Sequence, residues 1–477
     1  MMKETAPGKE ESMTETRQGP LDRLLGLFSE VRPGEGARAL TMLANIFLIL
    51  VCYYIIKTVR EPLILTTAVP AWLQRIGVSG PAEVKTYAAA GQALVLMGFV
   101  PAYSWFASRV DRMKLVFGVT AFFVVNILLF AVALQAQVEY IGVFFYVWVG
   151  LFSLSIIAQF WSYANDIYTK EAGSRLFPII AVGMTVGSPV GAAIAERMFR
   201  AQLSPHLMLY LAAALLLATA GFYAASNRTG SISHQTAADA APIGGRGAFS
   251  LVFSSRYIGL IAMLLILLNV VNTVGEFILS DMVVASAAEA GRANASFDTG
   301  AYIGAFYGNY FFWVNLLAVA LQILVAPRLI KKFGLAGVLF ALPFVALGAY
   351  GVIAFGATIA IVRWAKTTEN ATDYSIMNTA KQLLWLPTSR EEKYKAKQAV
   401  DSFFVRIGDL AAAVVVFIGT SWLTLEGRGF ATLNVGFAVV WLVIAVTLLR
   451  ENRRLSANAS EGEGGSTRRM VAAEVRA

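Results

Sequence analysis

The 477-residue chain is 57% hydrophobic and only 14% charged, with a formal net charge of +9 and a mean hydropathy of +0.63. Soluble domains are closer to a quarter charged, so this composition excludes a soluble globular class and indicates a polytopic membrane protein. The basic excess needs no nucleic-acid partner, because Lys and Arg gather on the cytoplasmic loops of membrane proteins. A single cysteine, Cys52, excludes an intramolecular disulfide and a cysteine metal cluster. With only His206 and His234, no metal site and no cofactor are expected.

Residues 1–38 are polar and carry both charge signs. They lack the basic start, apolar core and small-residue cleavage site of a signal peptide, and read as a cytoplasmic extension with Leu21–Val31 as a surface helix. Six apolar spans occupy residues 39–225: Leu40–Ile56, Tyr87–Phe106, Leu115–Gln135, Ile141–Ala164, Leu176–Ala195 and Leu207–Ala225. Each approaches the roughly 20 residues a helix needs to cross a hydrocarbon core. Residues 226–250 form a linker rich in Ser, Ala and Gly, including Gly244-Gly245-Arg246-Gly247. Six more spans occupy residues 251–451: Tyr257–Ile278, Tyr310–Ala326, Leu335–Phe355, Ile359–Leu384, Ala399–Trp422 and Thr432–Leu449. Residues 452–477, with Glu461-Gly462-Glu463-Gly464-Gly465-Ser466, read as a disordered cytoplasmic tail.

Basic residues concentrate in alternate loops: Arg109, Arg112 and Lys114; Lys170 and Arg175; Arg328, Lys331 and Lys332; and Arg390 to Lys397. The opposite loops hold fewer, among them Arg75, Lys85, Arg197 and Arg200, so both termini are expected in the cytoplasm. The two halves echo each other. Ser108–Lys114 joins spans two and three as Pro327–Gly334 joins spans eight and nine, and Asn165-Asp166 parallels Thr372-Asp373. The expected fold is an all-α membrane protein with twelve transmembrane helices in two pseudo-symmetric six-helix bundles. This is the major-facilitator build, with a solute site between the halves.

Charges inside apolar spans are costly unless they face a wet cavity or a partner, so they mark solute paths. Lys57, Arg60 and Glu61 end the first span, and Lys57 shares a helical face with each of the other two. Pro62 is expected to break or kink the helix there. In span ten Arg363, Lys366, Asn370, Asp373, Met377 and Lys381 recur every three or four residues, which suits a cavity wall. Glu276 ends span seven, and Arg406 with Asp409 forms an i, i+3 pair readable as structural or as substrate contact. Asp166 is placed to hold the basic loop Lys170–Arg175 as a gate. Gly183, Gly187 and Gly191 form a small-residue stripe suited to helix packing. No phosphate-binding G-x-x-x-x-G-K-[ST] loop and no nucleophile–base–orienter set occur, so transport by gradient or exchange is expected rather than enzymatic turnover.

Tyr53-Tyr54-Ile55-Ile56-Lys57-Thr58-Val59-Arg60-Glu61-Pro62-Leu63 resembles the first helix of the ADP/ATP translocase (nucleotide transporter) family of plastids and intracellular bacteria. The likeness continues in Ala82-Glu83-Val84-Lys85, in Phe160-Trp161-Ser162-Tyr163-Ala164-Asn165-Asp166 and in Lys395-Ala396-Lys397-Gln398-Ala399-Val400-Asp401. It reaches most of the spans in order, and implies that Lys57, Arg60 and Glu61 contribute to a nucleotide path. By the same resemblance, Glu276 corresponds to the family's acid in helix seven. Gly150 stands where the family has an acid in helix four, and Gly408-Asp409 where it has glycine followed by lysine.

The substrate site is therefore expected to comprise Lys57, Arg60, Glu61, Arg363, Lys366, Asp373 and Arg406, with Asp166, Glu276 and Asp409 in gating or coupling. The resemblance implies an ATP:ADP antiporter of the cell inner membrane, monomeric and bound to no nucleic acid. The alternative is a proton-coupled or exchange-driven facilitator of another organic, anionic solute, with Asp166, Glu276 or Asp373 carrying the proton.

Overall fold

A computed structural model describes Asp22, Leu25 and residues 29–107, 109–228 and 247–474, and these residues are almost entirely helical. The first half comprises α1 (Glu35–Leu65), the short α2 (Ala71–Gln74), α3 (Pro81–Ala107), α4 (Arg112–Gln135), α5 (Ile141–Ile167), α6 (Lys170–Arg200) and α7 (Pro205–Arg228). The second comprises α8 (Ala248–Ser254), α9 (Arg256–Ala293), α10 (Thr299–Ala320), α11 (Ala326–Ala354), α12 (Ile359–Thr372), α13 (Asn378–Leu384), α14 (Lys397–Ala399), α15 (Val405–Ser421) and α16 (Gly427–Glu474). Turns of π-helix at Leu321–Val325 and Asp373–Met377 join α10 to α11 and α12 to α13; two more, Glu392–Ala396 and Val400–Phe404, flank α14.

Among the described residues, ten helical runs are long and apolar enough to cross a membrane. One of them, Thr299–Ala354, is 56 residues long, far more than a single crossing requires. The chain bends sharply within it at Gly334, whose φ of 61° and ψ of −146° suit glycine alone. Just beyond, a Cβ on Gly337 would sit 2.8 Å from the Leu329 carbonyl oxygen, a separation that a straight helix would not permit. Ile359–Leu384 is too polar to count among the ten.

Loops 66–80, 201–204, 294–298 and 422–426 lie at one end of the bundle, here termed the upper end. The chain enters α1 at the lower end. There Asp22 accepts from the Gly34 and Gly36 amides, and Arg175 of α6 clamps Glu35 at 2.9 and 3.0 Å. The rest of the expected Leu21–Val31 helix up to residue 28, and residues 229–246 of the linker, lie outside the described residues.

The glycine stripe of α6 lies directly on α1. A Cβ on Gly183, Gly187 or Gly191 would meet the carbonyl oxygens of Leu43, Phe47 and Val51 at 2.3, 2.7 and 2.7 Å. The two backbones touch along three successive turns, so the stripe packs helices and binds no ligand. One expectation is corrected. α1 does not break at Pro62 but runs to Leu65: the proline removes the bond to the Thr58 carbonyl, while the turn beyond it is still closed by the Thr66 amide donating to the Pro62 carbonyl at 2.9 Å. α16 is drawn as helix from Gly427 to Glu474.

The halves meet toward the upper end. Thr420 of α15 donates to Glu83 of α3 at 3.0 Å, and Asn309 of α10 donates to both oxygens of Glu196 of α6 at 3.0 and 3.1 Å. Phe199 packs against Gly304, and Tyr54 donates to Asn315 at 2.9 Å.

Candidate substrate-binding site

Where the halves meet, charged side chains from α1, α3, α9 and α12 form one buried chain of alternating sign. Arg60 contacts Glu61 at 2.5 Å, and Glu61 pairs through its other oxygen with Lys85 of α3 at 2.7 Å. Lys85 reaches across to the second half, bonding Ser280 at 2.9 Å and lying 3.9 Å from Glu276. Glu276 in turn lies 4.0 Å from Lys366 of α12, which pairs with Glu369 at 2.8 Å. The side chains of Glu61, Lys366 and Glu369 are 1%, 1% and 4% exposed, so water compensates little of their charge.

Each member is oriented by neutral partners. Tyr310 and Asn370 donate to one oxygen of Glu276 at 3.1 and 2.9 Å. Lys366 also donates to the Asn272 side-chain oxygen at 3.0 Å, and Tyr350 donates to Glu369 at 2.7 Å. Gly275 makes room for this cluster, since a Cβ there would collide with the Tyr350 hydroxyl. Buried charges are tolerated only when paired and hydrogen-bonded in this way.

Two cations of α1 are less fully compensated by carboxylates. Among the described residues Lys57 has no carboxylate partner. Its ammonium lies 4.4 Å from the Phe311 ring centroid and 5.2 Å from that of Tyr54, a cation–π cage. The Arg60 guanidinium lies 4.3 Å from the Tyr146 ring and uses Nε and one terminal nitrogen on Glu61. With Lys57, Arg60, Lys85 and Lys366 against Glu61, Glu276 and Glu369, the cluster carries one positive charge in excess when all are ionised.

Five of the residues expected from sequence come together here: Lys57, Arg60, Glu61, Glu276 and Lys366. The others lie elsewhere. Asp373 pairs with Lys381 at 3.0 Å, and Arg406 with Asp409 at 3.2 Å. Arg363 lines a crevice with Arg200, Asn309 and Trp313 instead of the central cluster. The expected polar ladder is therefore not one wall: Arg363 turns to the crevice ahead of the π-turn at Asp373–Met377, and that turn inserts an extra residue and rotates the helix beyond it. Asp166 is exposed and forms no ion pair among the described residues; Glu35 holds Arg175 and Arg32 contacts Glu171 at 2.5 Å.

Tyr310 and Asn272 carry no signal in the sequence, and Lys85 and Glu369, although visible as charges, are absent from the expected site. Sequence reasoning reads Lys85 as a loop charge, whereas the residue lies inside α3, 7% exposed and central to the cluster. The available signal is Glu83-Val84-Lys85 opening an apolar helix without any turn residue between. The place of the family's helix-four acid is filled differently: a Cβ on Gly150 would lie 2.2 Å from Gln92, so the glutamine of α3 occupies that space.

A separate cavity of about 610 Å³ lies at the upper end. Its lining includes Glu83, Asp281 and Glu426 against Arg428 and none of the cluster residues, so its charge disfavours an anion. No group of side chains among the described residues is suited to hold a metal ion.

The fold resembles that of the nucleoside transporter NupG, with a TM-score of 0.61, 14% identity, and coverage of 87% of this chain and 98% of that one. No family model matches the chain. ADP,ATP carrier protein 1 of Chlamydia trachomatis serovar D is 22% identical, covering 84% of this chain and 86% of that protein. ADP,ATP carrier protein 1 of Chlamydia muridarum is 23% identical, covering 84% and 85%. The chain is thus a multi-pass membrane transporter of major-facilitator-like fold, and its relatives and fold neighbours are transporters, not enzymes. These distant carriers, with the motifs around Lys57 and Arg60, support the nucleotide-transporter family.

Proposed function

We propose that the chain exchanges ATP and ADP across the inner membrane by alternating access, holding the phosphates at Lys57 and Arg60. The observation that carries this reading is the pair of α1 cations at the junction of the halves, one without a carboxylate among the described residues and one sharing a single glutamate. Guanidinium and ammonium groups beside aromatic rings suit a nucleotide, whose phosphates need cations and whose base stacks on π faces. Of the cluster carboxylates Glu61 alone contacts Arg60, so a phosphate on this guanidinium competes with Glu61.

We further read the architecture as twelve crossings in two six-helix bundles, 39–225 and 251–451, with both termini cytoplasmic. The bend at Gly334 divides the 56-residue run in two, and the polar helix Ile359–Leu384 crosses as a lining element because Lys366 and Glu369 face the cluster. With the termini inside, closure at the upper end corresponds to an inward-facing carrier.

The second reading is carriage of another organic anion. It is favoured by Asp409, an acid where the family has a lysine, although Arg406 compensates it one turn away. Thermal unfolding of the purified protein distinguishes the two. A ligand at 100 times its Kd stabilises by about 2.7 kcal/mol. ATP and ADP should raise the melting temperature, and adenosine, which lacks phosphates, should not. No shift with ATP or ADP would favour the second reading; equal shifts with adenosine would mean that the phosphates are not recognised and would count against both.

A further inference from the structure

A crevice of about 490 Å³ opens on the flank of the molecule between α6 of the first half and α10 and α12 of the second. Its polar residues are Arg200, Asn309 and Arg363; its remaining walls include Tyr302, Phe306 and Trp313. Arg200 is the last residue of α6, 67% exposed, and pairs with Glu196 at 2.6 Å. Arg363 lies in the second turn of α12. Among the described residues it forms no ion pair, and its Nε is buried without a partner, as is the Asn309 Oδ1. Its guanidinium lies 5.1 Å from the ring of Trp364, which itself sits 5.5 Å from Trp313. Both tryptophans are exposed to the surroundings, at 46% and 37%.

Trp364 lies in the second turn of α12, and exposed tryptophans near helix ends mark the level of lipid headgroups, where arginines meet phosphates. One positive charge remains in excess, from Arg200 and Arg363 against Glu196. A water-borne anion would gain nothing from the apolar walls, whereas a molecule with a charged head and hydrocarbon chains uses both.

We propose that this crevice binds one anionic phospholipid, its phosphate between Arg363 and Arg200 and its chains against Phe306 and Trp313. Because Arg200 belongs to one half and Arg363 and Asn309 to the other, the bound lipid bridges the halves at their closed end. It thereby favours the conformation in which that end is shut.

Native mass spectrometry of the detergent-purified protein tests the site, with dioleoyl phosphatidylglycerol as probe. Retention of one lipid per chain is expected, with at least about tenfold weaker binding in Arg363→Gln, the effect of losing one charged hydrogen bond. Dioleoylglycerol, which lacks the phosphate, should not bind. Equal retention by Arg363→Gln, or equal binding of dioleoylglycerol, would overturn the proposal. Displacement of the phospholipid by millimolar inorganic phosphate would also overturn it, and would identify a water-accessible phosphate site. Should Arg363→Gln fail to fold, the comparison of lipids on the wild-type protein decides alone.

Discussion

Arg60→Ala should abolish nucleotide transport while the protein still inserts and folds. The guanidinium is half of the less fully compensated cation pair on α1, and losing a buried arginine–anion contact costs about 2–5 kcal/mol, a fall in affinity of roughly 30-fold to several-thousand-fold. Folding should survive because Glu61, the residue that Arg60 contacts, keeps Lys85 at 2.7 Å. Arg60→Lys should recover only part of the activity, since an ammonium cannot reproduce the planar fork that serves Glu61 through two nitrogens. Uptake into proteoliposomes, normalised to inserted protein, measures both. Uptake by Arg60→Ala near the wild-type rate would make Arg60 a structural partner of Glu61 and nothing more.

Lys85→Met should have the larger effect on stability. Methionine matches much of the volume but removes a cation that contacts a carboxylate of each half, Glu61 at 2.7 Å and Glu276 at 3.9 Å. Breaking a buried pair costs up to about 3–5 kcal/mol, and the carboxylate left worse off is Glu276, whose remaining cation is Lys366 at 4.0 Å, whereas Glu61 keeps Arg60. The variant should melt below wild type and transport poorly. The double variant Lys85→Met with Glu276→Gln should regain much of the lost stability, since Lys366 keeps Glu369 at 2.8 Å, without regaining transport. A single variant that melts like wild type would mean that water reaches Glu276 and the cluster is not buried.

The parts visible in the sequence are those in which one residue contradicts its surroundings. Lys57, Arg60 and Glu61 stand out because they interrupt a continuous apolar run, and the cost of burying them requires partners. The glycine stripe of α6 is readable as packing because its spacing of four matches a helical face. Lys85 is hidden for the opposite reason: it opens its helix, where charges ordinarily belong to a loop, and only tertiary folding buries it against Ser280 and Glu276. Arg363 illustrates the limit of periodicity. Its spacing from Lys366 puts both on one face, yet near the helix start a long side chain can turn outward to Trp364 while Lys366 points to Glu369. The π-turn at Asp373–Met377 leaves no composition signal, so the register beyond it is not readable. Gly334 is legible as a loop boundary, because the basic segment before it separates two apolar spans.

Counter-exchange is the central claim, and one measurement addresses it directly. Proteoliposomes containing the purified protein are preloaded with ADP or left empty, and uptake of radiolabelled ATP is measured in both. The account predicts rapid uptake into ADP-loaded vesicles and little into empty ones, because the carrier returns fastest with a phosphate-bearing ligand on Lys57 and Arg60. ATP uptake that is absent in both, or equally fast without internal nucleotide, would contradict it.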